Sequence, residues 1–130
     1  MKHKVSELEG ALLDAAVAKA EGIAWRIDPE KDWCVTPHEA RALNRRAGDF
    51  NTLWQPSSEW SQAGPIIDRE QISLKSPDEL GDRDGKEWEA DMSVRHEDGA
   101  ECFSGSGPTP LIAAMRAYLA SKFGEEVELP

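Results

Sequence analysis

The sequence predicts an α+β protein, in which a small antiparallel sheet carries two terminal amphipathic helices packed on one face. Two observations predict this class. Apolar residues recur at helical spacing near both ends of the chain, and polar and apolar residues alternate in part of the region between them. With 130 residues the chain is long enough for one hydrophobic core, so we expect residues 1–130 to form a single domain.

The first predicted element is a helix near the N-terminus. Ser6 and Glu9 have the spacing of a capping box, in which two side chains satisfy free backbone amides at a helix start. Gly22 follows the last apolar position and is suited to end the helix in a left-handed conformation. The apolar face between these ends consists of Leu8, Leu12, Leu13, Ala16, Val17 and Ala20.

A hairpin and a short helix are predicted next. Residues 23–27 have the composition of a short strand, and residues 33–35 are its predicted hairpin partner. Thr36 and Glu39 form a second capping box, with a proline at the first helical position after the threonine. This pattern predicts a short helix that ends near Arg46.

The centre of the chain gives weaker patterns. Residues 56–64 are predicted to form an ordered loop with a helical turn, and residues 66–70 fit either a turn or a strand. Residues 71–74 predict a strand, and an acidic loop is expected over residues 76–86.

A second hairpin is predicted before the C-terminal helix. Residues 87–94 alternate polar and apolar side chains, as a half-buried strand does. Residues 97–99 form a turn signal, and residues 100–103 are the expected antiparallel partner. The glycines and serines of residues 104–109 predict a loop that leads into the last helix.

The C-terminal helix has a signal at each end. Thr109 is a good N-cap, Pro110 fits the first helical position because its missing N–H costs nothing there, and Gly124 suits the C-cap. The apolar stripe consists of Leu111, Ile112, Met115, Leu119 and Phe123. Alanines beside the stripe permit a close approach, so we expect this helix to pack against the N-terminal one.

The charge limits the classes of partner. Acidic residues outnumber basic ones 25 to 15, which gives a net charge of -10, and the basic residues form no cluster. Binding to nucleic acid requires lysine and arginine against phosphate, so we expect no direct nucleic-acid binding. Neither an apolar run of membrane-spanning length nor an apolar signal segment is present, so we expect a cytoplasmic protein that does not enter a membrane.

No cofactor or metal site is expected. Cys34, His38, His96 and Cys102 could supply zinc-binding atoms, but their spacings differ from those of compact zinc sites. In a reducing compartment two cysteines are expected to remain thiols rather than to form a disulfide. The sequence contains no phosphate-binding or dinucleotide-binding glycine motif and no recognisable nucleophile–histidine–acid set.

Two features suggest a binding site. The loop over residues 104–109 precedes a helix N-terminus, where free amides and hydroxyls can hold an anion, although such loops are often only connections. Five tryptophans are present, and two of them lie in the central irregular segment, where they either cover the core or line a site. Arg69 or Arg116 would supply the positive charge that pairs with an anion. The side chain of Arg116, in the C-terminal helix, could instead cover the edge of the core. The candidate ligand-binding residues are Trp54, Trp60, Arg69, Ser106, Gly107, Thr109 and Arg116.

Three blocks of the sequence resemble the phage-encoded NinX family. They are residues 4–22, which begin KVSELEGALLD, residues 56–70, PSSEWSQAGPIIDRE, and residues 107–118, GPTPLIAAMRAY. The resemblance implies a small protein of phages and prophages. It transfers no catalytic residues, because that family has no agreed ones.

The sequence therefore favours a small cytoplasmic phage or prophage accessory protein that is not an enzyme. We expect it to bind a small anionic ligand or a host protein where the tryptophan segment meets the start of the C-terminal helix. Two alternatives remain open: an enzyme whose catalytic groups are dispersed along the sequence, and an acidic inhibitor that mimics DNA. The sequence leaves the oligomeric state open.

Overall fold

The computed structural model describes residues 1–37, 50–78 and 87–130. These parts of the chain combine α-helices with short antiparallel strands, as expected for an α+β protein. Their elements in order are β1 (Lys2–Lys4), a 3₁₀ turn (Val5–Glu7), α1 (Gly10–Glu21), β2 (Arg26–Asp28), β3 (Trp33–Pro37), β4 (Phe50–Leu53), α2 (Trp60–Glu70), β5 (Ser73–Lys75), β6 (Trp88–His96), β7 (Gly99–Gly107), α3 (Pro110–Phe123) and β8 (Glu126–Glu128).

The described strands form three small sheets instead of the single sheet that the sequence predicts. One sheet has the order β5-β6-β7, a second has the order β2-β3-β4, and β1 pairs with β8 near the two chain ends. All described pairings are antiparallel. The expected hairpins are confirmed, since β2 pairs with β3 and β6 pairs with β7.

The two terminal helices contact each other, but they pack mainly on different sheets. Helix α3 lies against β5, β6 and β7, whereas α1 contacts α3, β2 and β3. The expected arrangement of both helices on one face of one sheet is therefore not confirmed. Of the residues predicted to lie at the helix contact, Ala16, Met115 and Leu119 are buried, but Leu12 and Ile112 are only half-buried.

The predicted glycine–serine loop is wrong, because residues 104–107 form the end of β7. Its glycines face α3 and let the helix approach the strand closely. A Cβ atom at Gly105 would lie 2.5 Å from the backbone N of Ala117 and 2.6 Å from the carbonyl O of Ala113. A Cβ atom at Gly107 would lie 2.7 Å from Cγ2 of Ile112. These glycines therefore serve helix–sheet packing.

The ends of α3 are largely as predicted. The Ile112 amide donates to Thr109 Oγ1 over 3.2 Å, and Pro110 occupies the first turn. Gly124 follows the helix with φ 78 and ψ −140, so it turns the chain with a positive φ but not in the common left-handed helical conformation.

Helix α1 begins later than its capping-box pattern predicts. Ser6 lies in the 3₁₀ turn, and α1 begins at Gly10, where Glu9 makes no side-chain capping bond. The predicted capping box is therefore wrong. The predicted end is confirmed, since Gly22 adopts the left-handed conformation with φ 72.

Helix α2 corrects the prediction for the centre of the chain. It includes residues 60–64 of the predicted loop. It also includes residues 66–70, for which the sequence pattern fitted either a turn or a strand. The sequence pattern underestimates this helix because Gly64 and Pro65 weaken local helix propensity. Burial of Ala63 and Ile66 on its inner face offsets that weakness.

Two predictions reach into residues that the structure does not describe. The short helix expected to end near Arg46 falls on residues 38–49, and its predicted first residues, Thr36 and Pro37, belong to β3. Most of the acidic loop expected over residues 76–86 also lies outside the described residues. Within the described residues, no helix combines the length and the apolar character that a membrane span requires.

Candidate functional site

Four of the sequence-predicted site residues line two clefts, and three, Trp54, Arg69 and Gly107, lie outside both linings. The first cleft, which we name the Arg116 cleft, has a volume of about 720 Å³. It is lined by Lys4, Val5, Ser6, Glu87, Trp88, Glu89, Phe103, Ser104, Gly105, Ser106, Arg116, Ala120, Gly124, Glu125 and Glu126. It brings Ser106 and Arg116 together, while Gly107 is buried beneath the arginine and Ile112.

The Arg116 guanidinium is fixed by two backbone carbonyls. Nε donates to the carbonyl of Leu8 over 3.0 Å, and Nη1 donates to the carbonyl of Ser106 over 2.8 Å. Among the described residues it has no carboxylate partner, although the whole chain carries 25 acidic residues. The carbonyls hold the half-buried group without neutralising its charge, so it can still pair with an anion.

The remaining lining of the Arg116 cleft is both aromatic and acidic. Trp88 and Phe103 are half-buried on the side of the sheet that faces α3, and the hydroxyl-bearing Ser104 and Ser106 are exposed. Four carboxylates oppose Lys4 and Arg116 in the lining, namely Glu87, Glu89, Glu125 and Glu126. The lining therefore disfavours a multiply charged anion, because its carboxylates outnumber its two cationic side chains.

The second cleft, which we name the Trp60 cleft, has a volume of about 520 Å³. It is lined by Gly10, Ala11, Asp14, Asp32, Trp33, Gln55, Ser57, Ser58, Trp60, Thr109, Pro110, Leu111 and Ile112. Trp60 begins α2 and is 54% exposed, which is unusual for so large an apolar side chain. Its described lining holds two carboxylates and neither lysine nor arginine.

The start of α3 reaches the Trp60 cleft with few free donors. Pro110 has no N–H group, and the Ile112 amide already donates to Thr109 Oγ1. Together with the carboxylates in the lining, this arrangement makes the helix start less suited to an anion than the sequence pattern suggests.

Asp14 is a buried carboxyl that no sequence pattern indicates. It is only 3% exposed, and its Oδ1 accepts the Ser57 amide over 2.8 Å. Burial raises the pKa of Asp14 to about 6, and the hydrogen bonds from Ser57 offset part of this effect. Helical spacing gives no signal for it, because Asp14 lies between the buried Leu13 and Ala15 on α1.

Trp54 belongs to the core and does not line either cleft. It is 2% exposed, and its indole Nε1 donates to the carbonyl of Asp14 over 3.0 Å. Of the two interpretations of this residue, core packing agrees with its position. Trp33 lies in β3, as predicted, and it also lines the Trp60 cleft.

Arg69 lies outside both linings and is occupied by ion pairs. Its Nη1 and Nη2 donate to the two carboxylate oxygens of Glu21 over 3.0 and 2.7 Å, and its Nε donates to Glu70 over 2.7 Å. Tyr118 also donates to Glu21. Burial opposes ionisation of Glu21, but the bonds from Arg69 and Tyr118 outweigh it and lower the pKa of Glu21. This cluster joins α1, α2 and α3.

The cysteines and histidines form no metal-binding group among the described residues. Cys34 is a buried free thiol on β3, and burial raises its pKa to about 12. Cys102 is an exposed free thiol on β7, and His96 lies 3.4 Å from a carboxylate oxygen of Glu101. His38 lies outside the described residues.

Comparison with known proteins identifies a family. No curated protein matches the chain. A family model described as "Bacteriophage P22, NinX" matches residues 4–122, which include both clefts except for residues at the end of the Arg116 cleft. Because this match covers nearly the whole chain and agrees with the three sequence blocks, the protein belongs to the phage NinX family.

Proposed function

We propose that this phage accessory protein acts in the host cytoplasm by binding a small organic anion in the Arg116 cleft. The observation that carries the proposal is the unneutralised Arg116 guanidinium, fixed by two backbone carbonyls at the wall of a cleft of about 720 Å³. A volume of this size is within the range of small-molecule sites. Fixing the guanidinium before binding reduces the entropy lost when an anion pairs with it.

The lining supports a particular class of ligand. Trp88 and Phe103 provide apolar surface for a planar ring. The four glutamates disfavour ligands with several negative charges and can accept from an ammonium group or hydroxyls. Aromatic monocarboxylates and aromatic amino acids fit this chemistry better than polyphosphates.

Calorimetric titration with benzoate, phenylalanine, AMP, ATP and inorganic phosphate tests the proposal. We expect an aromatic carboxylate to bind at least about tenfold more tightly than phosphate or ATP, a difference of about 1.4 kcal/mol. Preferential binding of ATP, or no binding by any of the five compounds, would contradict it.

Two variants connect the binding to the cleft. Arg116→Lys keeps a positive charge but loses the planar donor geometry, and we expect about 10- to 150-fold weaker binding, equal to about 1.5–3 kcal/mol. Phe103→Leu keeps an apolar side chain but removes the ring, and it should weaken aromatic ligands more than acetate. Arg95→Lys, on an exposed position of β6 outside the cleft lining, is the matched control and should leave binding unchanged.

A further inference from the structure

The Trp60 cleft presents an exposed aromatic surface that no other described element covers. Trp60 is 54% exposed at the first residue of α2, and the half-buried Trp33 lines the same cleft. Exposed tryptophans contribute strongly to protein interfaces when a partner covers them, because the ring buries a large area with little loss of conformational entropy.

The charges of the cleft specify the chemistry of a partner. Asp14 and Asp32 line it, and its described lining contains neither lysine nor arginine. The whole chain has a net charge of -10, which attracts basic molecules at long range. Carboxylates beside indole rings can bind a guanidinium or ammonium group through both ion pairing and cation–π contact.

One of the two rings already makes a cation–π contact within the protein, which leaves Trp60 as the ring open to a basic partner. Lys31 Nζ lies 5.1 Å from the centre of the Trp33 ring. Polar side chains that can hydrogen-bond a peptide backbone also line the cleft, including Gln55, Ser57 and Ser58. This combination fits a peptide segment better than an isolated amine, which could use the charges but not these additional groups.

We infer that the Trp60 cleft docks an arginine- or lysine-bearing segment of a partner protein. The exposed Trp60 ring covers the stem of the basic side chain, and the exposed Asp32 carboxylate attracts its charge. The site is separate from the Arg116 cleft, since the two linings share no residue.

An NMR titration with an end-blocked tetra-arginine peptide tests this inference. We expect the indole N–H signals of Trp60 and Trp33, assigned through Trp60→Phe and Trp33→Phe, to shift in a saturable way. Tetra-serine and tetra-glutamate peptides of the same length should leave them unchanged. Shifts spread over the whole acidic surface, without saturation at Trp60, would overturn the inference.

Matched variants separate a specific site from general charge attraction. Asp32→Asn should weaken the peptide at least fivefold, and asparagine tolerates the positive φ of 55 at this position. Asp68→Asn removes the same charge from an exposed position on α2 outside the cleft lining and should have less than a twofold effect. Equal weakening by both variants would show nonspecific attraction and would overturn the inference.

Two further measurements decide the nature of the occupant. Trp60→Ala should weaken the peptide at least tenfold while leaving the melting temperature unchanged, because the ring is exposed. Arginine amide should bind at least tenfold more weakly than the peptide, and equal affinity would overturn the assignment of a peptide partner. Neither result depends on ligand binding in the Arg116 cleft, which Arg116→Lys tests separately.

Discussion

Asp14 is a buried carboxyl on α1 whose Oδ1 accepts the backbone amide of Ser57. Asp14 lies within the apolar run of α1, where sequence patterns predict either a solvated face or a local irregularity. Its burial depends on Ser57 and on the segment before α2, more than 40 residues away. No local pattern contains that information, whereas the Thr109 cap could be predicted because its partner, Ile112, is three residues away.

Replacing Asp14 with asparagine should change how stability depends on pH. The ordinary carboxyl pKa of 3.8 applies in the unfolded chain, and burial raises it to about 6 in the folded protein. The unfolded chain therefore loses this proton first, so the wild type should lose stability as pH rises from about 4 to 6. The full shift corresponds to at most roughly 3 kcal/mol.

Urea unfolding at pH 4 and pH 7.5 measures this effect. Asp14→Asn retains an oxygen that can accept the Ser57 amide, so the variant should gain about 1–3 kcal/mol relative to the wild type between the two pH values. Parallel pH profiles for the two proteins would show that Asp14 is not the group responsible.

At the scale of the elements, glycines that predict a loop in the sequence instead allow a helix to pack closely on a strand in the fold. Glycine and serine predict a loop over residues 104–109 because they weaken strand propensity. In the folded chain Gly105 is required because the α3 backbone lies against β7. Similarly, Gly64 and Pro65 lower the helix propensity of this segment, so the sequence pattern did not predict α2. The helix is stabilised by burial of its inner face rather than by local propensity.

Gly105→Ala should destabilise the protein by about 1–3 kcal/mol or more, because the added methyl group would collide with the backbone of Ala113 and Ala117. Gly64→Ala is a matched control, since a Cβ there lies in a helix and has no neighbour within 4 Å beyond the adjacent residues. The control should change stability by less than about 1 kcal/mol, because the better helix propensity of alanine is opposed by the contact of its Cβ with the Pro65 ring. Equal stabilities of the two variants in denaturant melts would argue against the close packing of α3 on β7.

At the scale of the whole molecule, a cluster of buried apolar residues includes side chains from α1, α2 and α3 and from several strands. The sequence predicted the α+β class and the pairing of hairpins because these depend on periodicity and turns. It could not predict three separate sheets, because that division depends on contacts between distant segments. The same reason explains why the predicted site residues are divided between the Arg116 cleft, the Trp60 cleft and positions outside both.

We predict that the chain unfolds as one cooperative unit. Leu119 is fully buried on α3, and Leu119→Ala should lower the free energy of unfolding by about 2–5 kcal/mol. Far-ultraviolet circular dichroism and tryptophan fluorescence should report the same shifted midpoint, because one core holds both sets of probes. Two separated transitions, or a loss below about 0.5 kcal/mol, would contradict a single domain with Leu119 at its centre.

Ligand binding in the Arg116 cleft is tested most directly by native mass spectrometry of the protein purified from phage-infected host cells. We predict a small organic anion bound at one copy per chain, retained by Arg95→Lys and lost or strongly reduced in Arg116→Lys. A wild-type protein that carries no small molecule and gains none from host extract, or equal retention of the molecule by both variants, would contradict binding at Arg116.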